Sequence, residues 1–161
     1  MTASSPAIAD IHRQGGVAIA AHPYPEWSGY DDAAVQALDA AEIVRPEVYA
    51  DEARALQLRQ FAARRRLTQI GASDYHGLGT LGASRTYVFA RDDSERAILS
   101  ALHEGRTVVY SRDGRAYGDP ELIRLAAQDQ RLALAAAGAP QRRALALLSR
   151  VAGVLGLLLL A

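Results

Sequence analysis

The sequence predicts an α/β protein, with parallel strands in a sheet or barrel and helices laid across them. Three observations carry that expectation. Short strand-like runs at residues 17–21, 40–44 and 68–73 alternate with longer stretches of helical character. The first run is apolar without interruption, the pattern of a strand covered on both faces. Chemistry-bearing residues stand where two of the runs stop, His22-Pro23 after the first and Asp74-Tyr75-His76 after the third. Strand ends are where α/β folds place their chemistry.

Taken in order, residues 5–14 read as a helix capped by Ser4 or Ser5, with Pro6 in its first turn and Gly15-Gly16 at its end. His12 on this helix reads as a surface residue in preference to a ligand. His22-Pro23-Tyr24-Pro25 stops the first strand, because each proline removes a donor and restricts its predecessor. Tyr24, Trp27 and Tyr30 crowd the loop that follows, either lining a substrate pocket or packing over the mouth of the fold. Asp31-Asp32 cap a helix reaching Leu38, and residues 40–44 form the second strand, ending near Arg45-Pro46. Glu42 lies inside that strand, at an exposed or edge position or turned into the site; buried, it needs a partner.

Residues 47–66 read as a helix with Leu56, Phe61 and neighbouring alanines on its apolar stripe. Its acids come early and its arginines late, matching the helix dipole, so Arg64-Arg65-Arg66 reads as a solvated helix end. The strand at 68–73 delivers Asp74 and His76. Glycines 77, 79 and 82 allow close backbone approach, but the lysine and spacing of a phosphate loop are missing. A fourth strand follows at 85–90, then a helix opened by Asp92 or Asp93 and closed at Gly105, with His103 on its surface. Residues 107–110 are a fifth strand, Asp113-Gly114 a turn, and Asp119-Pro120 the start of a helix to about residue 130.

Residues 131–161 change character. Alanine and leucine dominate, and Arg142, Arg143 and Arg150 precede an apolar stretch from Val151 to Ala161. Eleven residues fall short of the roughly 20 that span a bilayer as a helix. The segment reads as a hydrophobic C-terminal helix, either a membrane segment cut short or a helix packed on the fold. The division expected is therefore an α/β unit over residues 1–130 and a helical tail over 131–161.

Formal net charge is zero, from 18 basic and 18 acidic residues, which gives no electrostatic case for a nucleic-acid partner. With no cysteine, a disulfide framework and a thiolate metal site are both excluded. Any metal must be held by His, Asp and Glu. Residues 1–10 lack the basic and long apolar segments of a signal peptide, so the expected location is cytoplasmic, with membrane association through the tail.

In extended backbone, Asp74 and His76 point to the same side, and a carboxylate with an imidazole suits a divalent metal ion. Two histidines and one carboxylate also describe the facial triad of iron oxygenases, but those sit on all-β scaffolds. With "GGVAIAAHPY" and "IGASDYHG" at these strand ends, the chain resembles the PHP (polymerase and histidinol phosphatase) superfamily. The two stretches look like that family's third and fourth motifs. "RTYVFA" and "AILSALHEGRTVV" are similar to its usual continuation, and the resemblance covers about residues 10–125.

The resemblance implies a distorted (β/α)7 barrel with divalent metal ions (zinc, manganese or iron) at the C-terminal ends of the strands. It also implies a metal-activated water that attacks a phosphoester or related ester, and His22, Asp74 and His76 as the metal ligands and catalytic residues. The family's first motif, a His-x-His, has no counterpart among the four histidines here. The expectation is a C-terminal part of such a protein lacking the N-terminal strands, with little or no hydrolytic activity of its own. The alternative is a non-catalytic or partner-dependent remnant.

Overall fold

The computed structural model describes residues 5–21, 23, 32–45, 51–75 and 81–129. The expected elements lie on these residues in the expected order. Helix α1 is Ser5–Arg13. Strand β1, Ile19–Ala20, is followed by α2, Asp32–Gln36. Strand β2 occupies Ala40–Val44, the stretch read from the sequence. Helix α3, Glu52–Arg65, leads to strand β3, Thr68–Gly71. Then come β4 (Arg85–Val88), α4 (Glu95–His103), β5 (Thr107–Tyr110), β6 (Ala116–Gly118) and α5 (Pro120–Gln128).

Local chemistry explains the boundaries. The Asp51 carboxylate accepts from the Arg54 N–H at the start of α3, Ser94 caps α4 through Ala97, and Asp119 caps α5 through Glu121 and Leu122. Each satisfies an N–H that the first helical turn leaves open. Asp92 or Asp93 was expected to open α4; Ser94 caps it instead, and the Asp92 carboxylate accepts from the Ser94 N–H. The buried stripe of α3 also differs from expectation. Ala55, Leu58 and Ala62 are buried, at i, i+3 and i+7, while Leu56 is 47% exposed.

The sheets depart from a continuous parallel array. β1, β2 and β3 pair parallel in that order, with Ile19 opposite Ala40 and Ala40 opposite Thr68. The β2–β3 ladder shifts register between Glu42 and Val44, so the strand bends before its C-terminal end. β4, β5 and β6 form a second sheet, antiparallel throughout, with Arg85 opposite Tyr110 and Tyr110 opposite Ala116. The described residues thus make an α/β fold of two three-stranded sheets, and they do not include a closed barrel. Strands of four residues carry little directional information, and β5 reaches β6 through a hairpin that needs no crossover helix.

The sequence signal here, Asp113-Gly114, marks only a turn, and the structure makes it a hairpin. Ser111 N–H donates to the Arg115 carbonyl, Gly114 N–H donates to the Ser111 carbonyl, and Gly114 adopts φ +85°. This is a short loop with glycine in the left-handed position. The two sheets lock together at β3. The Thr107 hydroxyl donates to the Gln69 carbonyl at 2.9 Å. Thr86 Oγ1 accepts from the Gly71 N–H at 2.9 Å and donates to the Gly71 carbonyl at 3.0 Å. A core of Ile8, Ala18, Ala20, Leu38, Ile43 and Val109 lies around this junction.

Among the described residues no helix is long and apolar enough to cross a membrane. The tail, residues 131–161, lies outside the described residues, as do Tyr24, Trp27 and Tyr30.

Candidate functional site

The C-terminal ends of β2 and β3 meet at one point. Arg45 follows β2 directly, and Asp74 follows β3 after Ala72-Ser73. Their side chains are 8% and 16% exposed, and Arg45 Nη2 is 3.7 Å from Asp74 Oδ2. At that separation in a largely enclosed setting the guanidinium orients the carboxylate electrostatically, and more strongly than an exposed pair would.

Asp74 has φ +44°, in the left-handed region. Aspartate tolerates that region better than most residues, yet strained backbone of this kind gathers at functional sites. The expectation that Asp74 and His76 share a side rested on extended backbone. At Asp74 the backbone is not extended, so the alternation argument does not hold there. His22 and His76 lie outside the described residues. Asp74 alone among the three expected ligands is described, and its donor type and strand-end position suit a hard or borderline divalent cation. Among the described residues no three His, Asp or Glu side chains are grouped to hold a metal ion. Glu42 is 5% exposed, so the exposed position is excluded.

The remaining histidines converge elsewhere. Asp39, directly before β2, accepts from the Ala18 N–H at 2.7 Å through Oδ2, and the same oxygen is 2.8 Å from His12 Nε2. His103 Nδ1 lies 3.5 Å from Asp39 Oδ1. Both rings are partly exposed, as expected of surface histidines, but one carboxylate bridges them. Asp39 precedes β2 whereas Asp74 follows β3, so in a parallel sheet this cluster sits at the opposite strand ends from Asp74.

A cavity of about 240 Å³ opens beside the C-terminal end of β2, lined in part by Val44, Glu52, Arg59, Arg112 and Tyr117. Nothing in the sequence marked it, because its residues come from β2, α3 and the β5–β6 hairpin. Asp113 at its edge has its carboxyl held below the ordinary value of 3.8, first by the Ser111 hydroxyl and further by Arg115. Burial raises the Tyr110 phenol above its ordinary value.

Residues 56–107 match the family model described as PHP-associated. The matched stretch contains Asp74 and His76 and begins after His22. No curated protein matches the chain. Among solved structures, the chain is similar to a two-domain protein from Bacteroides vulgatus ATCC 8482 containing a predicted PHP-like metal-dependent phosphoesterase. The TM-score is 0.55 at 24% identity, and the alignment covers 73% of this chain and 38% of that one. The chain therefore spans well under half the length of that neighbour, and at this identity the likeness is one of fold. The family match is thus confined to residues 56–107, and the wider likeness to a PHP-like protein is one of fold.

Proposed function

We propose that this chain carries part of the site of a PHP-type metal-dependent hydrolase acting on a phosphoester. The observation that carries the reading is Asp74. It is a largely buried carboxylate in left-handed backbone, at a strand end, beside a buried arginine and inside the PHP-associated match. His22, Asp74 and His76 would hold the metal, with zinc, manganese or iron as its identity.

A divalent ion held there would supply an acidified water and neutralise charge on phosphoryl oxygens. The chain's own residues do the rest of what can be derived. Asp74 offers oxygen donors, and Arg45, 3.7 Å away, attracts them electrostatically. Arg45 also adds a positive charge at the strand ends, which favours an anionic substrate there.

A site of two metal ions needs more ligands than these three, so the chain by itself gives little or no turnover. Metal binding is the test. The metal-stripped chain is titrated with manganese and free Mn(II) is followed by electron paramagnetic resonance. Binding that weakens by at least about tenfold in Asp74→Asn is expected for loss of one carboxylate ligand. Equal binding by both proteins would refute the assignment.

A further inference from the structure

The cavity at the end of β2 carries a charge arrangement that the metal chemistry does not use. Three arginines are among its lining residues, Arg59, Arg112 and Arg115, with two acids, Glu52 and Asp113. Both carboxylates are engaged. Glu52 holds Arg59 through Oε1 at 2.8 Å and faces Arg115 through Oε2 at 3.4 Å. Asp113 holds Arg115 Nε at 3.0 Å and accepts from the Ser111 hydroxyl.

Arg59 is fixed further, its Cζ lying 5.1 Å from the centroid of the Tyr117 ring. Arg112, at the tip of the hairpin, makes no ion pair among the described residues. The lining thus carries one positive charge in excess. Its donors are planar forks, and the neighbouring acids hold two of them in place before any ligand arrives. The space is several times that needed by a single water. It also adjoins the proposed metal site along the chain, since Val44 lines it and the next residue, Arg45, contacts Asp74.

We infer that this cavity is an anion subsite that takes a phosphate group of the substrate other than the one at the metal. The substrate class is then a phosphoester carrying a second anionic group. The link to substrate rests on the hydrolase reading, whereas anion binding does not, and the two are measured separately.

The experiment is calorimetric titration of the full chain, stripped of metal with EDTA, with inorganic pyrophosphate at low salt. Saturable binding of one pyrophosphate per chain is expected. Arg112→Gln weakens it by roughly fivefold to tenfold, the usual scale for one charge-assisted contact. Glu52→Gln tightens it severalfold, because the competing carboxylate that holds Arg59 and Arg115 loses its charge. Arg124→Gln, on α5 and paired with Glu121, leaves it unchanged.

No saturation up to about 10 mM, where binding is weaker than any useful subsite, would overturn the inference. Equal weakening by Arg112→Gln and Arg124→Gln, or no tightening in Glu52→Gln, would also overturn it. Because Glu52→Gln must act in the direction opposite to Arg112→Gln, a general loss of fold cannot imitate the expected pattern. If manganese binding fails while pyrophosphate binding holds, the hydrolase reading falls and the subsite stands; the reverse result separates them the other way.

Discussion

Replacing Gly71 by alanine tests the junction from which the chain runs on to Asp74. A Cβ at this position would lie 2.4 Å from Val109 Cγ1, with the Arg85 carbonyl 3.7 Å away on another side. Carbon atoms pack at about 3.5–4.0 Å, so the two groups must part by roughly an ångström. Neither side yields easily. Val109 is fully buried and β-branched, so its rotamer is stiff. The Gly71 N–H and carbonyl are both bound to Thr86, which fixes the backbone.

Overpacking of this kind costs about 1–3 kcal/mol, while the loss of glycine's freedom in the unfolded chain returns about 0.4–1 kcal/mol. A net destabilisation near 1–2 kcal/mol is expected, or a drop in Tm of about 2–8 °C for a chain of this size. Val109→Ala alone removes two methyl groups and costs about 1.6 kcal/mol in transfer energy before any cavity contribution. In the double variant the new methyl occupies space that valine vacates. The two effects should therefore fall short of their sum by about 1–2 kcal/mol, the scale of coupling between residues in contact. Urea unfolding followed by circular dichroism measures all four proteins. A Gly71→Ala variant within about 0.3 kcal/mol of the parent, or strict additivity in the double variant, would refute the packing argument.

The carboxylate between the two histidines makes a second prediction. Asp39→Ala leaves the Ala18 N–H without its acceptor and should cost about 1–3 kcal/mol in urea unfolding. Asp39→Asn keeps an oxygen for that N–H and should cost less, and equal losses from both variants would contradict the assignment. Acid titration makes a third. The Asp113 carboxyl is held below 3.8 in the folded chain by the Ser111 hydroxyl. Its contribution is therefore complete above that pH and fades as the pH falls through the lowered folded value. Asp113→Asn should flatten the loss of stability below pH 3.8 relative to the parent, and an unchanged acid profile would count against the Ser111 contact.

Much of the fold was legible because its signals are local. Residues 40–44 stand between a helix ending at Leu38 and Arg45-Pro46, and the strand occupies those residues. Asp119-Pro120 pairs a cap with a first-turn proline, and α5 begins there. The second sheet was not legible in its direction, and β6, three residues with a glycine among them, offers no periodicity to read.

The candidate site shows the same division. Asp74 was found because it follows an apolar run, but its left-handed backbone is set by tertiary surroundings that no single triplet encodes. Arg45 reads from sequence only as the end of a strand, and its place beside Asp74 comes from the fold. The convergence of His12 and His103 on Asp39 depends on three distant segments. The arginine-lined cavity likewise gathers residues from β2, α3 and a hairpin, and only folding brings them together.

The central claim, that Asp74 is a metal ligand together with His22 and His76, is tested most directly by crystals of the chain grown with zinc and measured at the zinc absorption edge. An anomalous peak is expected about 2.0–2.2 Å from an Asp74 carboxylate oxygen and from a ring nitrogen of each histidine. A zinc peak at other residues would contradict it, as would Asp74 still directed at Arg45 with no peak within ligand distance.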